Sequence, residues 1–178
     1  KDRNPYYGDL HVHTKHSFDA YIFGITATPN DAYRYAKGDG IMHPMGYEMK
    51  LQEPLDFYSV TDHGFFMGML NAWSDTTTDI SQKDFAKPFH DLNRVENLTA
   101  ESAGPRSALF SQILGGTVTQ TYSDLSPNVL KAWLTKNTQT ALKSFDYEIH
   151  KSAWEDVARA ANEHNDPGHF TTFIGYEF

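Results

Sequence analysis

Apolar and polar residues alternate at the start of the chain. In "YYGDLHVHT", Tyr6 to Thr14, Leu10 and Val12 alternate with Asp9, His11 and His13, which is the two-residue period of a strand with one apolar and one polar face. Leu10 and Val12 read as its core side. A second apolar run, "LDFYSVTDHG", predicts a buried strand over Leu55 to Val60, with Thr61, Asp62 and His63 at its C-terminal end. The β-branched and aromatic "FTTFIGYEF" predicts a third strand with Glu177 near its end.

The segments between these strands carry helix signals. Thr28 as N-cap, Pro29 at the first helical position and Gly38 beyond the last turn predict a short helix. "GIMHPMGYEMKLQEPL" reads as a loop with a small hairpin. Broken helical patterns follow near Phe66–Trp73, Lys83–Asn93, Arg106–Leu114 and Pro127–Leu142. The clearest helix is "SAWEDVARAANEHN", where Ser152 and Glu155 have capping-box spacing and Trp154, Val157, Ala158 and Ala161 share a face before "NDPG" stops it. Strand, helix, strand, helices, strand is the grammar of an α/β protein with a parallel sheet, and such folds place their chemistry at the C-terminal ends of the strands.

Composition narrows the chemistry. With 178 residues, 39% of them hydrophobic and 14% aromatic, the chain can build one domain with a core. A net charge of −8 argues against a nucleic-acid backbone as partner. There is no cysteine, so a metal would have to be held by nitrogen and oxygen. Neither a membrane span nor, in Lys1 to Pro5, a signal peptide is legible.

The polar face of the first strand needs a partner, and neutral imidazole is a strong ligand for zinc, manganese or iron. Asp9 is then placed to accept the N–H of a ligating ring. A bare His-x-His fits two surface histidines on an edge strand equally well. The metal reading gains because His11 and His13, Asp62 and His63, and Glu177 all fall at predicted strand ends. His16, His43, His90, His150, His164 and His169 read as ordinary loop or helix residues; of these only His16 and His43 lie near the site in sequence, and His16 has the alternative of reaching a metal or a substrate phosphate. Arg34, between Tyr33 and Tyr35, is a candidate for gripping a substrate anion, and Phe57, Tyr58, Phe65 and Phe66 read as core.

In this order, "GDLHVHTKHSFDA", "LDFYSVTDHG" and "FTTFIGYEF" resemble the polymerase and histidinol phosphatase (PHP) superfamily of metal-dependent phosphoesterases, and within it a large bacterial family of unknown function. The resemblance implies a distorted seven-stranded β/α barrel, TIM-like, with two or three divalent metal ions (Mn, Zn or Fe) at its C-terminal rim. It implies metal ligation by His11, His13, Asp19 and His63, with Glu177 bridging two ions, while Asp62 orients a ligand or touches the cluster from behind. It also implies a helical insertion over about 66–165 that caps the rim.

The superfamily adds further histidines and an Asp-x-His after the bridging glutamate. The sequence ends at Phe178, so it reads as the N-terminal portion of a single metallohydrolase domain in a longer protein. The implied activity is hydrolysis of a small-molecule phosphate ester by water activated on the metals. Hydrolysis of a non-phosphate bond and a non-catalytic metal-binding module remain open. Export signals common among such relatives place it in the periplasm or outside the cell, with the cytoplasm as the alternative.

Overall fold

The computed structural model describes residues 3–113 and 143–178, so the helix expected over Pro127–Leu142 lies outside the described residues. Along the chain run β1 (Gly8–Val12), α1 (Phe18–Ile22), α2 (Pro29–Ala36), β2 (Ile41–Met42), β3 (Glu48–Met49), β4 (Phe57–Val60), α3 (Met69–Ser74), α4 (Ala103–Ile113), α5 (Tyr147–His164) and β5 (Thr171–Ile174). The main sheet has the order β1-β4-β5 with both pairings parallel, and β2 and β3 form the small antiparallel hairpin expected after α2. Among the described residues this is an open parallel sheet with helices against it.

α2 begins as its sequence dictates. Thr28 accepts from the Asp31 amide while the Asp31 carboxylate accepts from the Thr28 amide, a reciprocal capping box followed by Pro29. Its buried face, Ala32, Tyr33 and Ala36, joins Tyr58 and Val60 of β4 and Ala153, Val157, Ala160 and Ala161 of α5 in one core. The small residues of α5 let that helix approach α2 and the sheet closely. Tyr33 is fully buried, yet its hydroxyl is satisfied: it donates to the Phe173 carbonyl and accepts from the Val60 amide, tying α2 to β4 and β5.

A second core lies beyond the C-terminal end of the sheet. Phe18, Tyr21 and Ile22 of α1 meet Phe66, Met69, Leu70 and Trp73 around α3, together with Ala86 and Phe89. Arg106 of α4 locks this layer through hydrogen bonds to the carbonyls of Ile22, Leu92 and Asn97 and to the Asn93 side chain. The loop into α3 is tightly fitted. Gly68 has φ +77°, and a Cβ there would stand 2.5 Å from the Ala153 Cβ of α5. Gly68→Ala should therefore destabilise the protein by roughly 2 to 4 kcal/mol, from left-handed strain plus overpacking, read as a lower urea midpoint at unchanged slope.

Several expectations are corrected. Leu10 is 55% exposed; among the described residues β1 is an edge strand whose register slips between Asp9 and Val12, so only Val12 packs partly against the core. The segment Lys83–Asn93 holds short 3-10 turns, one of them Lys87–Phe89, because Pro88 removes an amide mid-segment and Asp91 takes φ 53°. α5 starts at Tyr147, since Asp146 accepts from the amides of Glu148 and Ile149 and leaves Ser152 inside the helix. α5, which lies within the expected insertion over about 66–165, packs its buried face in the sheet's core. Tyr58 and Phe66 are buried as expected, but Phe65 is 46% exposed.

Candidate metal centre

The ends of three strands bring the site together. Parallel pairing of β4 with β5 continues beyond the strands themselves: the Glu177 amide donates to the Asp62 carbonyl, the Gly64 amide donates to the Glu177 carbonyl, and His63 stands opposite Glu177. On the other side the Thr61 amide donates to the Val12 carbonyl, which fixes the exit of β1 beside the exit of β4. Residues far apart in sequence are thus held by backbone, on rigid elements, at one rim.

Glu177 Oε2 is the focus. His13 Nε2 lies 2.7 Å from it, His11 Nε2 3.0 Å and His63 Nε2 3.8 Å. On its other nitrogen, His13 Nδ1 sits 3.1 Å from the Asp19 carboxylate, and His63 Nε2 is 3.7 Å from Asp19 Oδ2. Two overlapping sets result, His11, His13 and Glu177, and His13, Asp19 and His63, each with ligand atoms within 4.8 Å of one another. All five residues singled out by the resemblance therefore converge.

Their electrostatics follow from this crowding. The hydrogen bond to Asp19 raises the pKa of His13 against the opposing effect of burial. Burial pushes the Asp19 carboxyl up, but hydrogen bonds from His13 and Ser17 outweigh it and hold it well below the usual carboxylate range. For Glu177, desolvation is likewise overcome by the surrounding imidazoles, and its pKa falls. Both carboxylates are thus held ionised.

The remaining residues take supporting places. Asp62 is wholly buried and accepts from the Thr14 amide and, at 2.6 Å, from the Thr14 hydroxyl, so it anchors the turn directly after His13 rather than facing the cluster. Burial raises its pKa. Asp9 corrects an expectation: it accepts from the His11 amide at 2.9 Å, steadying the bulge and not a ring nitrogen. Arg34 is not brought to the site. It lies in the last turn of α2 near Asp31 and Asp39, and that end of α2 meets Leu55 at the opposite, N-terminal end of β4.

His16 is held by Asp156 of α5 at 2.9 Å, His90 by the Ser81 carbonyl and His164 by Asn30. Ser17 escaped the sequence reading. It is fully buried, its hydroxyl donates to Asp19 and accepts from the His63 amide, and its place between two motif residues was the only signal.

The sequence from residue 1 to 178 matches a family described as "Protein of unknown function (DUF3604)". The chain belongs to this family. No curated protein and no solved structure matches it.

The donor set fits a divalent cation. All five donors are imidazole nitrogen or carboxylate oxygen, as suits manganese, zinc or iron. Ligands on a tetrahedral metal with bonds near 2.1 Å stand roughly 3.4 Å apart, so the observed separations of 2.7 to 3.8 Å around Glu177 Oε2 need only small side-chain adjustments. Asp19 beside His13 Nδ1 also has the placement that fixes the tautomer of a ligating histidine through its Nε2.

Proposed function

We propose that the intact protein is a metal-dependent hydrolase acting on a phosphate ester. The observation that carries this reading is the convergence of three imidazole Nε2 atoms on one carboxylate oxygen. His11 and His13 lie within hydrogen-bond distance of this oxygen and His63 stands 3.8 Å from it, and a cation among them would satisfy the imidazole nitrogens and the carboxylate together. His11, His13, His63, Glu177 and Asp19 would hold the metal ions.

When bound, such ions lower the pKa of water and neutralise charge on phosphoryl oxygens. Two divalent cations outweigh the charge of the Asp19 and Glu177 carboxylates, which favours an anionic substrate. The protein's own groups set the geometry: Asp19 orients His13, Ser17 orients Asp19, and Asp62 fixes the turn that carries Thr14. The parallel order β1-β4-β5 also supports the further proposal that this sheet is one arc of a β/α barrel.

The test is a substrate panel on the full-length natural protein. After treatment with a chelator it should hydrolyse neither phosphomonoesters nor phosphodiesters, and adding Mn²⁺, Zn²⁺ or Fe²⁺ should restore turnover. Restored cleavage of carboxylic esters alone would place the chemistry at a carbonyl, and rates indifferent to chelation would overturn the metal assignment.

A further inference from the structure

Of the three converging histidines, two have rings held by hydrogen bonds and the third does not. His13 is fixed through both ring nitrogens, by Asp19 and by Glu177, and His11 meets Glu177 at 3.0 Å. His63 Nε2 stands 3.7 Å from Asp19 and 3.8 Å from Glu177, and among the described residues neither of its ring nitrogens makes a hydrogen bond. The torsion that turns an imidazole about its Cβ–Cγ bond is broad, so a ring without such a partner is oriented by what packs against it.

Two rings pack against His63. The Phe18 ring centre lies 5.0 Å away with the planes 36° apart, and His13 meets it edge to face at 4.9 Å. Phe18 is the first residue of α1 and only 4% exposed, and it is held in turn. Phe110 of α4 stacks almost parallel to it at 5.8 Å, Phe65 meets it edge to face at 5.6 Å, and Phe23 braces Phe110 at 5.5 Å. All of these separations lie in the range where aromatic pairs attract. Three consecutive residues thus serve His63: the Ser17 hydroxyl accepts from its amide, Phe18 covers its ring, and the Asp19 carboxylate stands beside its Nε2.

We infer that Phe18 is a positioning residue for His63: its ring sets the imidazole's orientation by packing, as Asp19 does for His13 by hydrogen bonding, and Phe110 ties that orientation to α4. This rests on the metal reading above. An imidazole already turned toward the centre loses less freedom when a cation binds, so affinity gains from a side chain that never touches the ion. Leucine at position 18 keeps the core apolar but offers the imidazole no flat face. The helical layer beyond the sheet then acts on the centre through packing alone.

The test uses Co²⁺, whose visible spectrum reports the geometry of its ligands. It is titrated into the full-length wild type, Phe18→Leu, Phe110→Leu and Phe89→Leu. Phe89 is 2% exposed in the same core, and its ring meets Trp73 at 5.2 Å, so its substitution loosens that core without touching a histidine. Thermal melts of the metal-free proteins measure what each substitution costs the fold.

Phe18→Leu should weaken Co²⁺ binding about tenfold and alter the spectrum of the bound ion, as loss of a group that orients a ligand does. Phe110→Leu should move both in the same direction by less, and Phe89→Leu should lower the melting temperature with affinity and spectrum unchanged. A folded Phe18→Leu with wild-type affinity and spectrum overturns the inference while the metal reading stands. Equal weakening in Phe89→Leu overturns it as well, because general loosening of the core would then be the cause. Should Phe18→Leu not fold, Phe110→Leu decides: an altered spectrum supports the inference, and behaviour like that of Phe89→Leu overturns it. A wild type that binds no Co²⁺ overturns the metal reading and this inference with it.

Discussion

Glu177→Gln in the full-length protein should remove most bound metal and lower phosphoesterase kcat by roughly 100-fold or more. Residues that merely orient a ligand already cost about 10- to 100-fold when removed, and Glu177 stands closer to the centre than that. The amide is nearly isosteric, so the backbone ladder through the Asp62 carbonyl and the Gly64 amide should survive and the variant should fold. What changes is charge: the oxygen that faces His11, His13 and His63 loses its anionic character, and either amide orientation leaves a weaker ligand than carboxylate. Metal analysis and thermal melts on the same sample separate loss of the site from loss of the fold. Full occupancy with near-normal rates would return Glu177 to the role of a strand-end acid in an ionic network.

His13→Ala should be the more damaging of the two histidine truncations in "HVH". His13 belongs to both candidate sets and engages Asp19 and Glu177 through its two nitrogens, while His11 belongs to one and is 70% exposed at its side chain. Loss of His13 should empty the whole centre, with activity falling by roughly 100-fold or more, and His11→Ala should leave the set of His13, Asp19 and His63 able to hold an ion. Metal stoichiometry in the two variants is the readout. Equal losses from both would show that the donors act as one indivisible cluster.

The strands that build this rim were legible because each carries its own pattern: alternation in β1, a short apolar run in β4, β-branched and aromatic residues in β5. The N-cap at Thr28 with Pro29 at the first helical position was equally local, and the structure keeps it. What escaped depended on partners distant in sequence. Nothing near Asp62 announces that its carboxylate is consumed by Thr14, and nothing near Arg34 announces that the end of α2 lies across the sheet from the histidines. The slip in β1 is invisible for the same reason, since register is a property of two strands. The aromatic and apolar spacing in Lys83–Asn93 resembled a helix, and Pro88 was the local signal that should have outweighed it.

The middle position of β4 has a consequence for the order of events as the chain is made. β4 pairs with β1 across 49 residues at Asp9 and Tyr58, but β5 reaches β4 only after the whole helical layer and α5 have been traversed. Closing so long a loop must be offset by the docking of α5 and β5 together. Until then His11, His13 and His63 can gather without the carboxylate of Glu177, which is 166 residues from His11. The histidines and Asp19 are therefore made first, and the second carboxylate arrives only after α5, as a latch.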